Sequence, residues 1–300
     1  MEKLTLIGPG RLGLSLTGLW LQSGQIQLEA VVASSAQKAN TAVSKLERDL
    51  GWSLSTKKQD AKGQVVSRGL ILIATPDDQL LGCARQLMEE ADLSACRQIF
   101  FCSGSIESQA VAEALRHSVP VVGVHPMMSF TKRLIAPNEF EDVVCTFEGI
   151  QAESDLVVDL FRAIGGRVVP IGAQSKLRYH LGTVVACNYI NALRIMAEGH
   201  LVAAGMDSED IHAGLSRLMT QTISNVNSSG AIKALTGPDT RGDAGLIERQ
   251  LELLESDEQD YQVYVGLAKV LLDKLDLDRG LTQESSRLRA LLNSKLLRNR

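Results

Sequence analysis

Three glycines near the start of the chain have the spacing of a phosphate-binding loop. Gly8, Gly10 and Gly13 follow the apolar run LTLI and precede a second apolar run that predicts a helix. In this pattern the first glycine permits a tight turn, the second lets a pyrophosphate approach the backbone, and the third lets the helix pack closely on the strand. A glycine-rich turn that serves only packing is the alternative. The residues predicted to hold a dinucleotide here are Gly8, Pro9, Gly10, Arg11, Leu12 and Gly13.

The end of the second predicted strand bears on which dinucleotide would bind. An acid about 20 residues after the glycines would bind the ribose 2′-hydroxyl of NAD. The strand QLEAVVASS instead ends in Ser34 and Ser35, and Glu29 lies too early to reach its tip. Both serines can donate hydroxyls, and Lys38 in the next helix could offer a positive charge to a 2′-phosphate. We therefore expect NADP(H), although two helix-capping serines and a solvated Lys38 would explain the same residue types.

Two further predicted strands end in small residues that suit the nicotinamide half of a cofactor. Ligands of open parallel sheets lie beyond the carboxyl ends of the strands. One strand ends in ATPD (74–77), and the other ends in CSGS (102–105). Asp77 and Asp78 then open a helix, where negative charge is favourable and capping is the expected role. The cofactor-facing residues predicted at these two ends are Ala74, Thr75, Pro76, Ser103 and Gly104.

A histidine follows the predicted strand VPVVGV. His125 stands before Pro126, at the end of the strand that faces the expected cleft. A histidine at such a place is more often functional than one on a helix surface. Two roles are open for His125: contact with substrate or cofactor, or a structural hydrogen bond to the following loop.

The segment AQSKLRYHLGTVVACNYINALRIMAEGH predicts a long helix with polar residues on one side. At about 100° per residue, Lys176, His180, Cys187 and Asn191 fall within roughly 60° of one another, with Asn188 about 60° further round. A substrate pocket would satisfy these groups. Lys176 or His180 would protonate the atom that gains charge as hydride arrives, and Asn188 would orient it. A solvent-exposed Lys176 with His180 satisfied in the core is the alternative.

The turn LTGPDTRGDAG carries one more candidate. Arg241 could reach the cleft and hold a substrate carboxylate. Equally, Arg241 and Asp243 could pair with each other and brace the turn. No spacing of His, Cys, Asp or Glu suggests a metal site, so we expect none.

Alternating patterns define the expected architecture. Up to about residue 172, β-branched runs alternate with helical ones, which predicts a doubly wound, mostly parallel Rossmann sheet with helices on both faces. After Gly172 only helical patterns remain. We therefore expect an α/β protein with a dinucleotide-binding domain at 1–172 and a helical substrate or dimerisation domain at 173–300. The polar segment STKKQDAKGQ (55–64) predicts a surface connection.

Composition narrows the classes of partner. The chain has 31 Lys and Arg against 35 Asp and Glu, a formal net charge of −4, so it lacks the basic field that nucleic acid binding needs. No apolar run approaches the roughly 20 residues of a membrane span, and the first residues do not resemble a signal peptide. Five cysteines without a CxxC pattern suit reduced thiols, so we expect a cytoplasmic protein.

Four motifs together resemble those of a bacterial family. The family comprises Rossmann-like proteins with a C-terminal domain named DUF2520, and the resemblance spans about residues 3–272. The motifs are IGPGRLG near the start, GVHPMMSF in the middle, KLRYH with the later CNYINAL, and LTGPDTRGD.

That family is similar to the larger group of pyrroline-5-carboxylate reductase, prephenate dehydrogenase, ketopantoate reductase and 3-hydroxyacid dehydrogenases. The resemblance implies a Rossmann domain, a helical domain commonly used for dimerisation, and a cleft between them. Hydroxyacid and ketopantoate enzymes carry Lys-x-x-x-Asn with lysine as acid or base; Lys176 matches the lysine, and His180 stands where asparagine would be. His125-Pro126 is similar to the His-Pro of prephenate dehydrogenases. Relatives often have an arginine after the second strand, where this chain has Ala33, Ser34 and Ser35.

These patterns lead to one expected function and one alternative. We expect an NADP(H)-dependent oxidoreductase that transfers hydride to or from a small oxo acid, hydroxy acid or imine, as a homodimer. NAD and the deazaflavin F420 are less favoured cofactors. The alternative is a sensor or interaction module that binds a dinucleotide without hydride transfer, because fold does not fix function.

Overall fold

In the computed structural model, eight strands form one sheet within the described residues, which are 1–60, 68–116, 118–149 and 151–294. Their order across the sheet is β3-β2-β1-β4-β5-β6-β7-β8, and all neighbours are parallel except β6 and β7. The first six follow the doubly wound Rossmann order, which confirms the predicted fold class. The strands are β1 (Glu2–Ile7), β2 (Ile26–Ala33), β3 (Lys57–Asp60), β4 (Leu70–Ile73), β5 (Gln98–Phe101), β6 (Val121–Pro126), β7 (Val144–Glu148) and β8 (Arg167–Pro170).

Six helices connect or flank these strands, and only helices follow them among the described residues. The first six are α1 (Arg11–Gln22), α2 (Ala36–Leu50), α3 (Asp77–Glu90), α4 (Ser108–Leu115), α5 (Pro137–Phe140) and α6 (Gln151–Ala163). The later helices are α7 (Lys176–Ala203), α8 (Ser208–Ser229), α9 (Ala231–Ala234), α10 (Pro238–Arg241), α11 (Ala244–Leu253), α12 (Glu258–Arg279) and α13 (Gln283–Ser294).

Apolar cores cover both faces of the sheet. Helices α1, α2 and α6 pack on one face, where the indole of Trp20 donates to the Leu160 carbonyl oxygen at 2.9 Å and meets Phe100 and Phe161 edge to face. Helices α3 and α4 pack on the other face. Strands β4 and β5 are buried along their whole length, as expected for a sheet covered on both sides. Each fully buried Leu, Ile or Phe side chain contributes about 1.5–3 kcal/mol.

The chain divides into two compact units, Met1–Tyr189 and Ile190–Arg300. The division falls within α7. The second unit has a core of its own that includes Ile247, Leu251, Val265 and Leu288. The predicted domain boundary at residues 172 and 173 stays a prediction.

One expected surface connection is instead a strand. Within STKKQDAKGQ, residues Lys57–Asp60 form β3, which pairs with β2 in parallel from Ala30 to Ala33. The prediction was wrong because β3 is an edge strand, where charged residues protect the open edge and leave no apolar signal. Residues 61–64 of that segment lie outside the described residues. Among the described helices, none combines the length and apolarity of a membrane span.

Candidate functional site

Two of the three glycines of the first turn are fixed by close packing. Gly8 has a φ of +82°, and a Cβ there would lie 2.9 Å from the backbone carbon and oxygen of Ala74. A Cβ on Gly13 would lie 2.9 Å from Cβ of Ala74 and 3.0 Å from Cδ1 of Leu6. The first glycine therefore makes the turn, and the third brings α1 close to the sheet, as predicted from their spacing.

Gly10 differs because its side-chain position is open. The nearest atom to a Cβ there is the Gly8 carbonyl oxygen at 4.0 Å. Gly10 precedes α1 with a φ of −78°, and among the described residues no side chain caps α1 and no acid stands in its first turn. The amides and positive dipole end of this helix are thus free to meet an anion.

A cleft of about 750 Å³ lies beside this turn. Eight of the predicted cofactor residues line it. They are Gly8, Pro9, Gly10, Ser34, Lys38, Ala74, Thr75 and Pro76.

Six other predicted cofactor residues lie outside the described lining of the cleft. Gly13 packs against Ala74, and Ser35 caps α2 by accepting from the Lys38 amide at 3.3 Å. Ser103 is bound to Asp77, and Gly104 packs against two histidines. The other two are Arg11, which is exposed, and Leu12, which packs on the core.

The two serines at the tip of β2 have different roles, one in capping α2 and one in holding Lys38. Ser35 is a helix cap, whereas Ser34 accepts a hydrogen bond from Nζ of Lys38 at 3.0 Å. Lys38 is therefore held beside the cleft. Sequence reasoning missed six polar residues of the lining: Gln37, Thr41, Lys45, Gln79, Gln86 and Arg133. Lys45 lies two helical turns after Lys38, so the helical spacing could have indicated that it lies on the same face. Arg133 is in a loop far along the chain, and nothing in the sequence around it indicates that it lies near this cleft.

Asp77 joins the ends of β4 and β5. Its Oδ2 accepts hydrogen bonds from the hydroxyls of Ser103 at 2.8 Å and Ser105 at 2.6 Å. Asp77 thus does more than supply the negative charge at a helix N-terminus that the sequence predicts. The Ser103 hydroxyl also accepts from the amides of Ser105 and Ile106, so it shapes the turn after β5.

His125 lies at the end of β6 and is hydrogen-bonded to Tyr179. The distance between its Nδ1 and the Tyr179 hydroxyl oxygen is 2.7 Å, and its ring centre lies 6.2 Å from that of His180. Burial, followed by the charges of His180 and Lys176, lowers the pKa of His125 to about 4. Burial also raises the pKa of the Tyr179 phenol. Both groups are therefore neutral near pH 7.

The two histidines meet over a glycine. A Cβ on Gly104 would lie 2.8 Å from Cδ2 of His180 and 3.3 Å from Cδ2 and Cε1 of His125. Any side chain at position 104 would displace these rings.

Lys176 is buried beneath this group, with 3% of its side chain exposed. Its Nζ lies 3.6 Å from Oε2 of Glu148 and 4.9 Å from the ring centre of Phe101. A Cβ on Gly123 would lie 2.6 Å from that Nζ, so the glycine leaves room for the ammonium group. Burial lowers the pKa of Lys176, and the nearby Glu148 carboxylate opposes this. The alternative of a solvent-exposed Lys176 is therefore wrong.

Glu148 is bound on both oxygens. Ser108 donates its amide to Oε2 and its hydroxyl to Oε1, each at 2.7 Å. Glu148 was missed from the sequence, although an acid inside the apolar strand DVVCTFEG needs a partner and could have drawn attention.

A second pocket of about 710 Å³ opens where His125 and Tyr179 meet. It brings together three predicted catalytic residues, His125, His180 and Asn188, while Lys176 lies outside its described lining. The other lining residues are Met127, Met128, Ser129, Arg178, Tyr179, Gly182, Thr183, Val184, Ala186 and Cys187.

The remaining candidate, Arg241, lies at the end of α10 in the second unit. It lines a smaller pocket of about 210 Å³ with residues that include Asp276 and Glu284. Asp243 caps α11 by accepting from the Leu246 amide at 3.1 Å. Within the described part of the chain, no group of three metal-ligating side chains occurs.

Comparison with known proteins identifies a domain family and a fold. Residues 143–270 match the family model described as Domain of unknown function (DUF2520). No sequence among the curated proteins matches the chain.

Three solved structures share the fold over nearly their whole length. A protein from Thermotoga maritima is 22% identical, covering 92% of this chain and 99% of its own, with a TM-score of 0.69. A candidate NADP oxidoreductase from Bacteroides fragilis is 19% identical, covering 90% and 97%, with a TM-score of 0.69. Pyrroline carboxylate reductase from Plasmodium falciparum, solved with NADP bound, is 14% identical, covering 96% and 98%, with a TM-score of 0.55. These likenesses show the fold, and the DUF2520 family model matches the segment from Val143 to Val270, which is less than half of the chain.

Proposed function

We propose that this protein is an NADP(H)-dependent oxidoreductase acting on a small oxo acid, hydroxy acid or imine. The observation that carries the proposal is the uncapped start of α1 at Gly10, open to a cleft of about 750 Å³. The names of the Bacteroides and Plasmodium proteins add support, because the first is a candidate NADP oxidoreductase and the second binds NADP.

The residues of the cleft fit a dinucleotide. The turn from Gly8 to Gly13 would hold the pyrophosphate, and Ala74, Thr75 and Pro76 would border the nicotinamide half. Ser34, Ser35 and Lys38 would select the 2′ side, with Ser103 and Gly104 building the neighbouring strand end. When bound, the nicotinamide ring supplies or accepts a hydride.

The second pocket would hold the reacting carbonyl or imine. A neutral His125 that accepts from Tyr179 at Nδ1 carries its proton on Nε2, where it can pass to an oxygen or nitrogen of the substrate. Tyr179 then returns a proton to Nδ1 and is itself reprotonated from water. His180 and Asn188 would orient the substrate, and Arg178 in the same lining would attract a carboxylate.

Two predicted catalytic residues, Lys176 and Arg241, lie outside the described lining of the second pocket. The Lys176 ammonium, held by Glu148, helps to keep His125 neutral through its charge, so we treat it as a positioning residue. The role of Arg241 as a carboxylate clamp stays a prediction from the sequence.

The deciding experiment follows NADPH oxidation with a panel of oxo acids, imines and aldehydes, with NADH and F420 as parallel cofactors. Cofactor binding is measured separately as a rise in melting temperature, because a ligand of the native state stabilises it by mass action. We expect NADPH to raise the melting temperature and at least one carbonyl or imine to consume it. Binding without consumption would favour the sensor alternative, and no binding would refute the proposal.

We further propose a cytoplasmic homodimer. The side chains of Leu177, Leu181, Val185 and Tyr189 recur every four residues on α7 and are 50–71% exposed. Such a stripe of exposed apolar residues is typical of an interface. The five cysteines are free thiols, which supports a reducing compartment. Sedimentation of the purified protein tests the dimer, and a monomer at micromolar concentration would contradict it.

A further inference from the structure

We infer that Lys38, Lys45 and Arg133, termed the cation cluster, bind the 2′-phosphate of the cofactor, with Arg133 contributing most to selection against NADH. The inference rests on the proposed dinucleotide site. It assigns the discrimination to an arginine outside the strand end that the sequence pointed to.

Two members of the cluster share one face of α2. Lys38, Thr41 and Lys45 are three, four and seven residues apart, so they point to the same side of the helix, and all three line the cleft. The Lys38 ammonium is already held toward the tip of β2 by the Ser34 hydroxyl at 3.0 Å. The lysines and hydroxyls therefore form one wall of the cleft.

Arg133 reaches the cleft from the segment that follows β6. The next residue, Leu134, is seated on α1, where a Cβ on Gly18 would lie 2.6 Å from Leu134 Cδ2. Ile135 is buried, and the Glu139 carboxylate accepts from the Ala136 amide at 2.7 Å. These contacts fix the segment that carries Arg133, so the guanidinium is presented from a second element.

The charges of the cleft are unbalanced. Its described lining contains three cations, Lys38, Lys45 and Arg133, and no carboxylate. In the part of the chain that the structure describes, none of the three forms an ion pair. A phosphate monoester carries a charge of about −1.5 to −2 at pH 7 and three acceptor oxygens. It would offset half or more of the positive charge of the cluster, whereas the 2′-hydroxyl of NADH would offset none of it.

Arginine suits this role better than lysine. Its planar guanidinium donates two parallel hydrogen bonds to a phosphate, and it loses less entropy for each bond formed. With this arginine in the cleft, selection of NADPH would need no basic residue at the tip of β2, where the chain has Ser34 and Ser35.

The test measures dissociation constants of NADPH and NADH for the wild type and for Arg133→Met. We expect the variant to bind NADPH about tenfold more weakly or worse, because a hydrogen bond to a charged group is lost, and to bind NADH within about twofold of wild type. Lys132→Met is the matched control. It removes the same charge one residue away, from a side chain paired with Glu139 outside the described lining of the cleft.

A second variant and a fragment of the cofactor distinguish a lost phosphate contact from misfolding of Arg133→Met. Lys45→Met is expected to shift the NADPH-to-NADH preference in the same direction. Adenosine 2′,5′-bisphosphate is expected to bind the wild type more tightly than 5′-AMP and to lose that advantage in Arg133→Met. An unchanged preference in both variants would overturn the inference and leave the dinucleotide proposal standing. If the wild type bound neither cofactor, both would fail together.

Discussion

Lys176 and Glu148 form a buried ion pair, with Nζ 3.6 Å from Oε2 and less than a tenth of either side chain exposed. The pair joins the first residue of α7 to the end of β7, in a site where each charge would be costly alone. The pair therefore bears on both the stability of the fold and the charge beside His125.

Glu148→Gln should destabilise the protein by about 3 kcal/mol or more, because it leaves the Lys176 ammonium buried without its countercharge. Urea unfolding measures this free energy. Asp159→Asn removes one partner of the exposed pair with Arg162 and should change it by less than about 1 kcal/mol. If Glu148→Gln and the wild type unfolded at the same urea concentration, the prediction would be contradicted. Adding Lys176→Met to Glu148→Gln should recover much of the loss.

Lys176→Met should lower kcat by about tenfold, because the variant loses a charge that helps to keep His125 neutral, while NADPH affinity stays within about twofold, since Lys176 lies outside the described lining of the cofactor cleft. Steady-state assays with the best substrate of the panel give kcat, and titration of the same sample with NADPH gives the dissociation constant. Turnover at the wild-type rate would remove Lys176 from the mechanism.

His125 should make the protein less stable in mild acid. Its pKa falls from 6.5 in a solvated state to about 4 in the fold, so below pH 6.5 the unfolded chain binds a proton that the native protein does not. The native state therefore loses stability as the pH drops from about 6.5 to 4, by up to about 3 kcal/mol. Urea unfolding at pH 7, 6 and 5 measures the loss. His125→Gln should reduce this slope, and an identical slope in the variant would argue against the lowered pKa.

Tyr179→Phe should slow turnover by about tenfold or more and change the pH profile of kcat/KM, because the variant lacks the hydroxyl that is hydrogen-bonded to Nδ1 of His125 and that relays a proton in the proposed path. A purely structural tyrosine would change stability without moving the profile. Tyr264→Phe is the control, since that phenol donates to Gln250 at 2.8 Å and lies outside the described lining of the second pocket. If both variants keep the wild-type profile, the proton path through Tyr179 is refuted.

Gly10→Ala and Gly8→Ala should separate binding from folding. An alanine fits the open space and extended backbone at position 10, so stability should change by less than about 1 kcal/mol, while its Cβ obstructs the pyrophosphate and weakens NADPH binding about tenfold. At position 8 a Cβ meets the Ala74 backbone at 2.9 Å, with φ at +82°, and should destabilise the fold by about 1 kcal/mol or more. Unaltered NADPH affinity in Gly10→Ala would count against the phosphate site.

Local signals explain why much of the fold was predictable. The apolar run before Gly8, the helix that ends at Leu50, and the Ser35 cap each depend on residues that are neighbours in sequence. Strand β3 was missed because it depends on pairing with another strand and not on its own sequence pattern. Its residues KKQD have no apolar pattern, and the segment is a strand only because β2 offers it a free edge.

The candidate site was predicted in part. His125, His180 and Asn188 line one pocket, consistent with their positions at a strand end and on one helix. Tyr179 was missed although it stands between two residues singled out. Its partner His125 is 54 positions away, so no periodicity in the helix could show the contact.

The sequence by itself determined the strand, turn and helix that build the first glycine loop, and the alternation that makes a parallel sheet, because turn chemistry and periodic burial act between close neighbours in the chain. Only the tertiary structure decided that Lys176 is paired with Glu148, that Tyr179 is hydrogen-bonded to His125, and that Arg133 lines the same cleft as Lys38 and Lys45. Those contacts depend on strand order and on where each loop returns to the sheet, and these are properties of packing across the whole unit.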